Sequence, residues 1–147
     1  MRPQSVLQLL QSVKDQTLYP NEILIIDSST NIETERVLIE NQFKNLLYFA
    51  VPPEHRGLTK QRNYGIERVG TSRDFSHNEI EIVCFLDDDT VLEKTYFEEI
   101  IKTFEEHQEI SGVGGVAINE NSWLLAEPNK KYDSRLYCRW EGFVYKE

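Results

Sequence analysis

Val6, Leu7, Leu9, Leu10 and Val13 recur at helical spacing, which predicts an amphipathic helix over about residues 4–16, opening just after Pro3. Tyr19-Pro20-Asn21 breaks it. Residues 22–26, rich in Ile, read as a buried strand that ends in Asp27-Ser28-Ser29-Thr30-Asn31, a run of turn formers and helix caps. Ile32, Val37, Leu38 and Phe43 mark a second helix, and residues 47–51 a second strand, stopped by Pro52-Pro53 because proline cannot donate to a sheet ladder. The loop Glu54-His55-Arg56-Gly57 leads into a third helix over about residues 59–69, followed by a polar surface loop at 70–78. Residues 80–86 then read as a buried strand. Tyr96, Phe97, Ile100, Ile101 and Phe104 predict a fourth helix whose aromatic stripe is core. Residues 110–117, with glycines at 112, 114 and 115, suit a strand approached closely by another backbone or a ligand, and from Ile118 the periodicity weakens. Strands alternating with helices through short connections predict an α/β layered fold with a mostly parallel sheet.

The apolar run Ile82-Val83-Cys84-Phe85-Leu86 passes directly into Asp87-Asp88-Asp89-Thr90. Adjacent ionised carboxylates repel one another, and at the lip of an apolar strand a divalent cation is a natural way to keep them charged. Oxygen-only ligands suit Mg²⁺ or Mn²⁺ rather than zinc. In open α/β sheets ligands sit just past the carboxyl ends of strands, where this turn falls. The competing reading is that one Asp caps the following helix while the others are solvated.

Composition narrows the function classes. The 147 residues fit one domain able to bury a core without staples, and 16 Lys+Arg against 25 Asp+Glu leave a net charge of −9. That charge opposes binding to nucleic acid or anionic lipid. Cys84 and Cys138 have neither metal-ligand spacing nor a disulfide framework, so both are expected as reduced thiols. No apolar run approaches the ~20 residues that span a bilayer, and the start lacks a signal peptide's apolar core. A soluble, cytoplasmic chain is expected. His55, His77 and His107 form no ligand or triad arrangement.

Several segments, taken in order, point one way. They are Ser12-Val13 and Gln16-Thr17 before Pro20-Asn21-Glu22-Ile23, then Ile25-Ile26-Asp27-Ser28-Ser29, then Arg56-Gly57-Leu58 through Gln61-Arg62-Asn63-Tyr64-Gly65-Ile66, and then Phe85-Leu86-Asp87-Asp88-Asp89. Together they resemble the nucleotide-binding half of the family-two glycosyltransferases, inverting enzymes with the GT-A fold. The resemblance implies a three-layer α/β sandwich, incomplete here, with residues 1–117 as the nucleotide-sugar-binding domain and 118–147 as the start of an acceptor-side region. It implies that Asp27 contacts the nucleotide base and that Arg62 and Asn63 lie on the helix beneath the diphosphate. It places Asp87 near the ribose and Asp89 on a bridging Mg²⁺ or Mn²⁺, with Asp87 a second candidate ligand and Asp88 among the donor-binding residues. The implied partners are a nucleotide-diphosphate sugar and a glycan, lipid-linked or protein acceptor, with the full-length enzyme peripheral to the inner face of the membrane.

The chain also departs from the family pattern. The family's apolar first strand, just upstream of the segment matching Arg2-Pro3, is missing, which predicts an unpaired sheet edge and an incomplete base pocket. Ser28-Ser29-Thr30 stands where the family has a second acid and a Gly. An inverting transferase needs a general base, and Glu120 and Glu141 are the available carboxylates beyond the turn, neither in a recognisable motif. Trp123 and Trp140 read as packing or acceptor-side aromatics. On residue chemistry alone Asp27 serves equally as a helix cap, and an Arg placed like Arg62 is more often a solvated charge or ion pair. Lys60 lies one residue off along the helix, and Gly65 implies close packing. Two other functions stay open: a noncatalytic module that binds a nucleotide sugar or divalent ion, and a sugar nucleotidyltransferase, for which the Gly-rich basic phosphate loop is absent.

Overall fold

The computed structural model describes residues 2–70 and 80–115. The chain divides into two compact units, Met1–Lys94 and Thr95–Glu147. The first opens with helix α1, Pro3–Lys14, where Pro3 supplies the preset φ of a first helical turn and Lys14 lies in the last. Val6, Leu9, Leu10 and Val13 are its buried stripe, spaced as the sequence predicts.

Strand β1, Ile23–Asp27, runs parallel to β2, Leu46–Ala50, in the register Ile23↔Leu46 through Asp27↔Ala50. Parallel neighbours need a crossover, and helix α2, Glu33–Asn41, provides it. Val6, Leu10, Ile25 and Leu38 form the central cluster, with Ile23, Phe43, Leu46 and Tyr48 packed against it. Side chains alternate across a strand, so Ile23, Ile25 and Asp27 share one face of β1 with Leu46 and Tyr48 of β2, the face covered by α1 and α2. Leu24, Ile26, Leu47 and Phe49 face the other way. That second face meets helix α3, Leu58–Ile66: a Cβ at Gly65 would lie 3.2 Å from Ile26 Cγ1, and the Phe49 and Tyr64 rings pack edge to face at 6.4 Å. Helices therefore cover both faces of a parallel sheet, the three-layer α/β arrangement expected.

A short 3-10 turn, Pro53–His55, joins β2 to α3. His55 packs on Tyr64 with ring centroids 4.9 Å apart, and the Arg68 guanidinium stacks on the same aromatic group, 3.1 Å from the Tyr64 centroid and 5.7 Å from that of Phe49. These contacts fasten the α3 region to β2 and give His55 a packing role. The end of α1 is tied to the segment after the acidic turn. The buried Gln16 amide donates to the Glu93 carbonyl at 2.7 Å, Thr17 N donates to the Lys94 carbonyl at 2.9 Å, and Leu92 N donates to Ser12 Oγ at 3.0 Å.

Two predicted strands are not seen among the described residues. Residues 80–86 make no ladder among the described residues; Ile82, Val83 and Phe85 are 37%, 45% and 48% exposed, and the Cys84 thiol is exposed as well. The described sheet has only β1 and β2. An apolar run becomes a buried strand only when a neighbour accepts its hydrogen bonds and covers its sides, and no described strand lies beside this one. Likewise, residues 110–115 have a single bridge position at Ile110 and no strand, and the remainder of that prediction lies outside the described residues. In the second unit, helix α4, Tyr96–Glu106, buries Ile100 and half-buries Tyr96, Phe97, Ile101 and Phe104, the predicted stripe. No helix among the described residues is long and apolar enough to cross a membrane.

Candidate functional site

The carboxyl end of β1 delivers Asp27, 1% exposed. Its Oδ1 accepts from Ser29 N at 2.8 Å and from the Ser29 hydroxyl, and its Oδ2 accepts from the Tyr48 hydroxyl at 3.0 Å. Tyr48 is available because it pairs with Ile25 across the sheet and so shares a face with Asp27 two residues on. Burial alone would raise the Asp27 pKa, but the bonds from Ser29 and Tyr48 outweigh it and hold the carboxyl below its ordinary range. Burial and the neighbouring carboxylate push the Tyr48 phenol the opposite way, upward. Asp27 does not cap α2, which begins at Glu33 with Ile32 at its N-cap. Three donors leave a carboxylate with about four lone-pair sites capacity for one more.

Helix α3 carries the basic element. Gln61 Nε2 donates to the Ile26 carbonyl at 3.1 Å, fixing the helix beside the end of β1. One residue along, about 100° around the helix, Arg62 Nη2 lies 3.4 Å from Asp87 Oδ1 with its guanidinium 5.6 Å from the Phe85 ring centroid. Two predicted site residues 25 positions apart are thereby brought together. Asn63 follows, exposed on the same helix, and Lys60 is exposed as well.

The acidic turn closes on itself, Thr90 N donating to the Asp87 carbonyl at 3.2 Å. Its other cation is one that the sequence does not announce. Arg2 Nη2 lies 2.9 Å from Asp88 Oδ1 and 2.7 Å from Asp89 Oδ2, and Arg2 N donates to Asp88 Oδ2 at 3.1 Å. Burial would raise the Asp88 pKa, yet the side-chain and backbone bonds from Arg2 hold it below the carboxylate range. The same bonds, from Asp88 first and Asp89 second, raise the pKa of the guanidinium. Among the described residues, three carboxylates facing two guanidiniums leave a net charge of one negative unit. The signal for Arg2 was absent from local pattern, because Asp88 lies 86 residues away and Asp89 follows it.

No group of three His, Cys, Asp or Glu side chains converges as a metal cage among the described residues. Mg²⁺ is commonly held by one or two carboxylates together with substrate phosphates and water rather than by an all-protein cage. Asp87 and Asp89, with side chains 68% and 55% exposed, offer the hard oxygen donors of that arrangement, so the residues present fit such an ion. Glu120, Glu141, Trp123, Trp140, His77 and Cys138 lie outside the described residues.

The family model for glycosyl transferase family 2 matches residues 1–145. The chain is similar to a glucosyl-dolichyl phosphate glucuronosyltransferase of Haloferax volcanii, 26% identical over 129 residues that cover 86% of this chain and 37% of that protein. It is also similar to the amylovoran biosynthesis glycosyltransferase AmsE of Erwinia amylovora, 28% identical over 124 residues, covering 82% of this chain and 43% of that one. The chain thus spans less than half the length of these curated relatives. No solved structure matches it significantly.

Proposed function

The chain belongs to glycosyl transferase family 2, and on that premise we propose that it forms the donor side of an enzyme transferring a sugar from a nucleotide diphosphate to an acceptor hydroxyl, with inversion and with a divalent metal. The observation that carries this reading is the acidic turn seated against α3, with Arg62 3.4 Å from Asp87. A guanidinium able to take phosphate oxygens and carboxylates able to take a hard cation then lie side by side, the pairing suited to a diphosphate that leaves with growing negative charge.

Asp89 and Asp87 would hold the Mg²⁺ or Mn²⁺, which when bound neutralises charge on the diphosphate. Arg62, oriented by Phe85 and Asp87, reaches a phosphate oxygen; Asn63 offers an amide beside it, and Asp88 braces the turn for the donor. At the end of β1, Asp27 is assigned to the nucleotide base, with the Ser29 turn that it holds as the adjoining wall. In the transfer itself the acceptor oxygen bonds to the anomeric carbon from the face opposite the diphosphate. The bond to the diphosphate breaks, and the hydroxyl proton passes to a carboxylate base. Glu120 and Glu141 are the sequence candidates for that base. The acceptor class is a glycan or a lipid-linked glycan, in keeping with the dolichyl phosphate and the amylovoran in the relatives' names, and the working place is the cytoplasmic face of the membrane.

Calorimetric titration with UDP and with GDP, each with and without Mn²⁺, tests the reading on the chain and on Asp87→Ala and Asp89→Ala. The expected result is metal-dependent binding of one nucleotide that both substitutions abolish. Binding indifferent to Mn²⁺ and to both substitutions overturns it.

A further inference from the structure

The three carboxylates of the acidic turn are not equivalent, and Arg2 makes the difference. Both oxygens of Asp88 are taken by Arg2, one by the backbone N–H at 3.1 Å and one by Nη2 at 2.9 Å. Asp89 is reached by the same Nη2 at 2.7 Å. The backbone half of this clamp is fixed, because Pro3 sets the first turn of α1 and Val6 N donates to the Arg2 carbonyl at 3.0 Å. The guanidinium half is not, since the Arg2 side chain is 61% exposed and can leave the turn without opening the core. A guanidinium in direct contact with Asp89 and a divalent cation on that carboxylate exclude one another by charge and by space.

We infer that Arg2 is the resident counter-cation of the acidic turn, a positioning residue that anchors the turn through Asp88 and competes with the divalent cation for Asp89. The inference rests on the metal-dependent donor reading above and adds what sets the metal demand of the site. The turn stays seated while no cation is bound. With a divalent cation on Asp89 the guanidinium half of the clamp would be displaced, while the backbone half stays on Asp88 and keeps the turn anchored.

The test is the affinity for Mn²⁺ itself, read from the electron paramagnetic resonance of free Mn²⁺ in the presence of UDP or GDP. The proteins compared are the chain, Arg2→Ala, Arg2→Lys and Asp89→Asn, each checked by circular dichroism. Loss of a competing exposed ion pair predicts Mn²⁺ bound roughly 1.5- to 5-fold more tightly by Arg2→Ala. Affinity near that of the unmodified chain is expected in Arg2→Lys, and loss of binding in Asp89→Asn. Should Arg2→Ala fail to fold, Arg2→Gln carries the same expectation. A residue that merely braces the turn gives the opposite sign, so unchanged or weaker Mn²⁺ binding in Arg2→Ala overturns the inference while leaving the metal site standing. Absence of Mn²⁺ binding in both proteins removes the metal reading and this inference together.

Discussion

Replacing Tyr48 by Phe isolates the hydrogen bond that helps keep a buried carboxylate charged. The ring stays, so its packing against Val6, Leu10, Ile25 and Leu38 is retained and no cavity opens. What is lost is the 3.0 Å bond to Asp27 Oδ2. A hydrogen bond to an ionised group contributes about 1.5–3 kcal/mol, against about 0.5–1.5 kcal/mol between neutral groups. At neutral pH the substitution should therefore cost roughly 2 kcal/mol of unfolding free energy. Its pH dependence carries a definite sign. The folded Asp27 pKa lies below its ordinary value, so its ionised form contributes stability above the unfolded pKa near ~3.9 and loses it as pH falls through the folded value. With Tyr48 gone, burial is opposed chiefly by the Ser29 bonds, the folded pKa rises, and that contribution shrinks. The gap between the two proteins should be widest at neutral pH and narrow toward the roughly 1 kcal/mol of a neutral bond as pH falls through the folded Asp27 pKa. Urea unfolding across this range measures it. A gap below about 0.5 kcal/mol at neutral pH, or one that widens on acidification, would refute the account.

Two glycines make further demands that can be separated by experiment. Gly57, the N-cap of α3, has φ 112° and open space around it, so Gly57→Ala should cost about 1–3 kcal/mol through backbone conformation alone, visible in urea unfolding as a shifted midpoint with an unchanged slope. At Gly65, Ala should be nearly neutral, the helix-propensity gain of about 0.8–1 kcal/mol offsetting a 3.2 Å approach to Ile26 Cγ1. Gly65→Leu should instead destabilise by about 1–3 kcal/mol and weaken nucleotide binding beyond what the unfolded fraction explains, because α3 must lift from β1. Equal nucleotide affinity for the folded protein would rule out that coupling.

Local periodicity made most elements legible. The α1 stripe, the two Ile- and aromatic-rich strands, the α2 crossover and the α4 stripe all carry their burial within a dozen residues, and each formed within a few residues of its prediction. The segment at 80–86 shows the limit of such reading. Its apolar run describes what the side chains require, not which strand supplies the ladder, and that second condition lies outside the segment. The site divides in the same way. Asp27 at the end of β1, Arg62 on the helix that follows β2 and Asp87 at the end of an apolar run stand out by residue type, whereas Tyr48 and Arg2 look like a core aromatic and a helix-start cation until the fold places them on carboxylates.

The register of α3 explains why the candidate site holds together around an extended segment that is not itself in the sheet. Gln61 and Gly65 are four residues apart and so share one helix face, where an amide grips the Ile26 carbonyl and a missing side chain admits the Ile26 side chain. That face is fixed by the strand. Arg62 is then aimed around the helix at Asp87, with its guanidinium 5.6 Å from the Phe85 ring centroid. Arg2 does the same from the start of α1, whose far end holds residues 92–94 through Ser12, Gln16 and Thr17. The acidic turn is therefore positioned by two helices, with cationic side chains on three carboxylates and neutral hydrogen bonds behind it. An arrangement held chiefly by charge at its ligand-facing side is one whose geometry should respond to a cation, which is why Mn²⁺ affinity in the Arg2 variants tests the organisation of the site as well as the role of one residue.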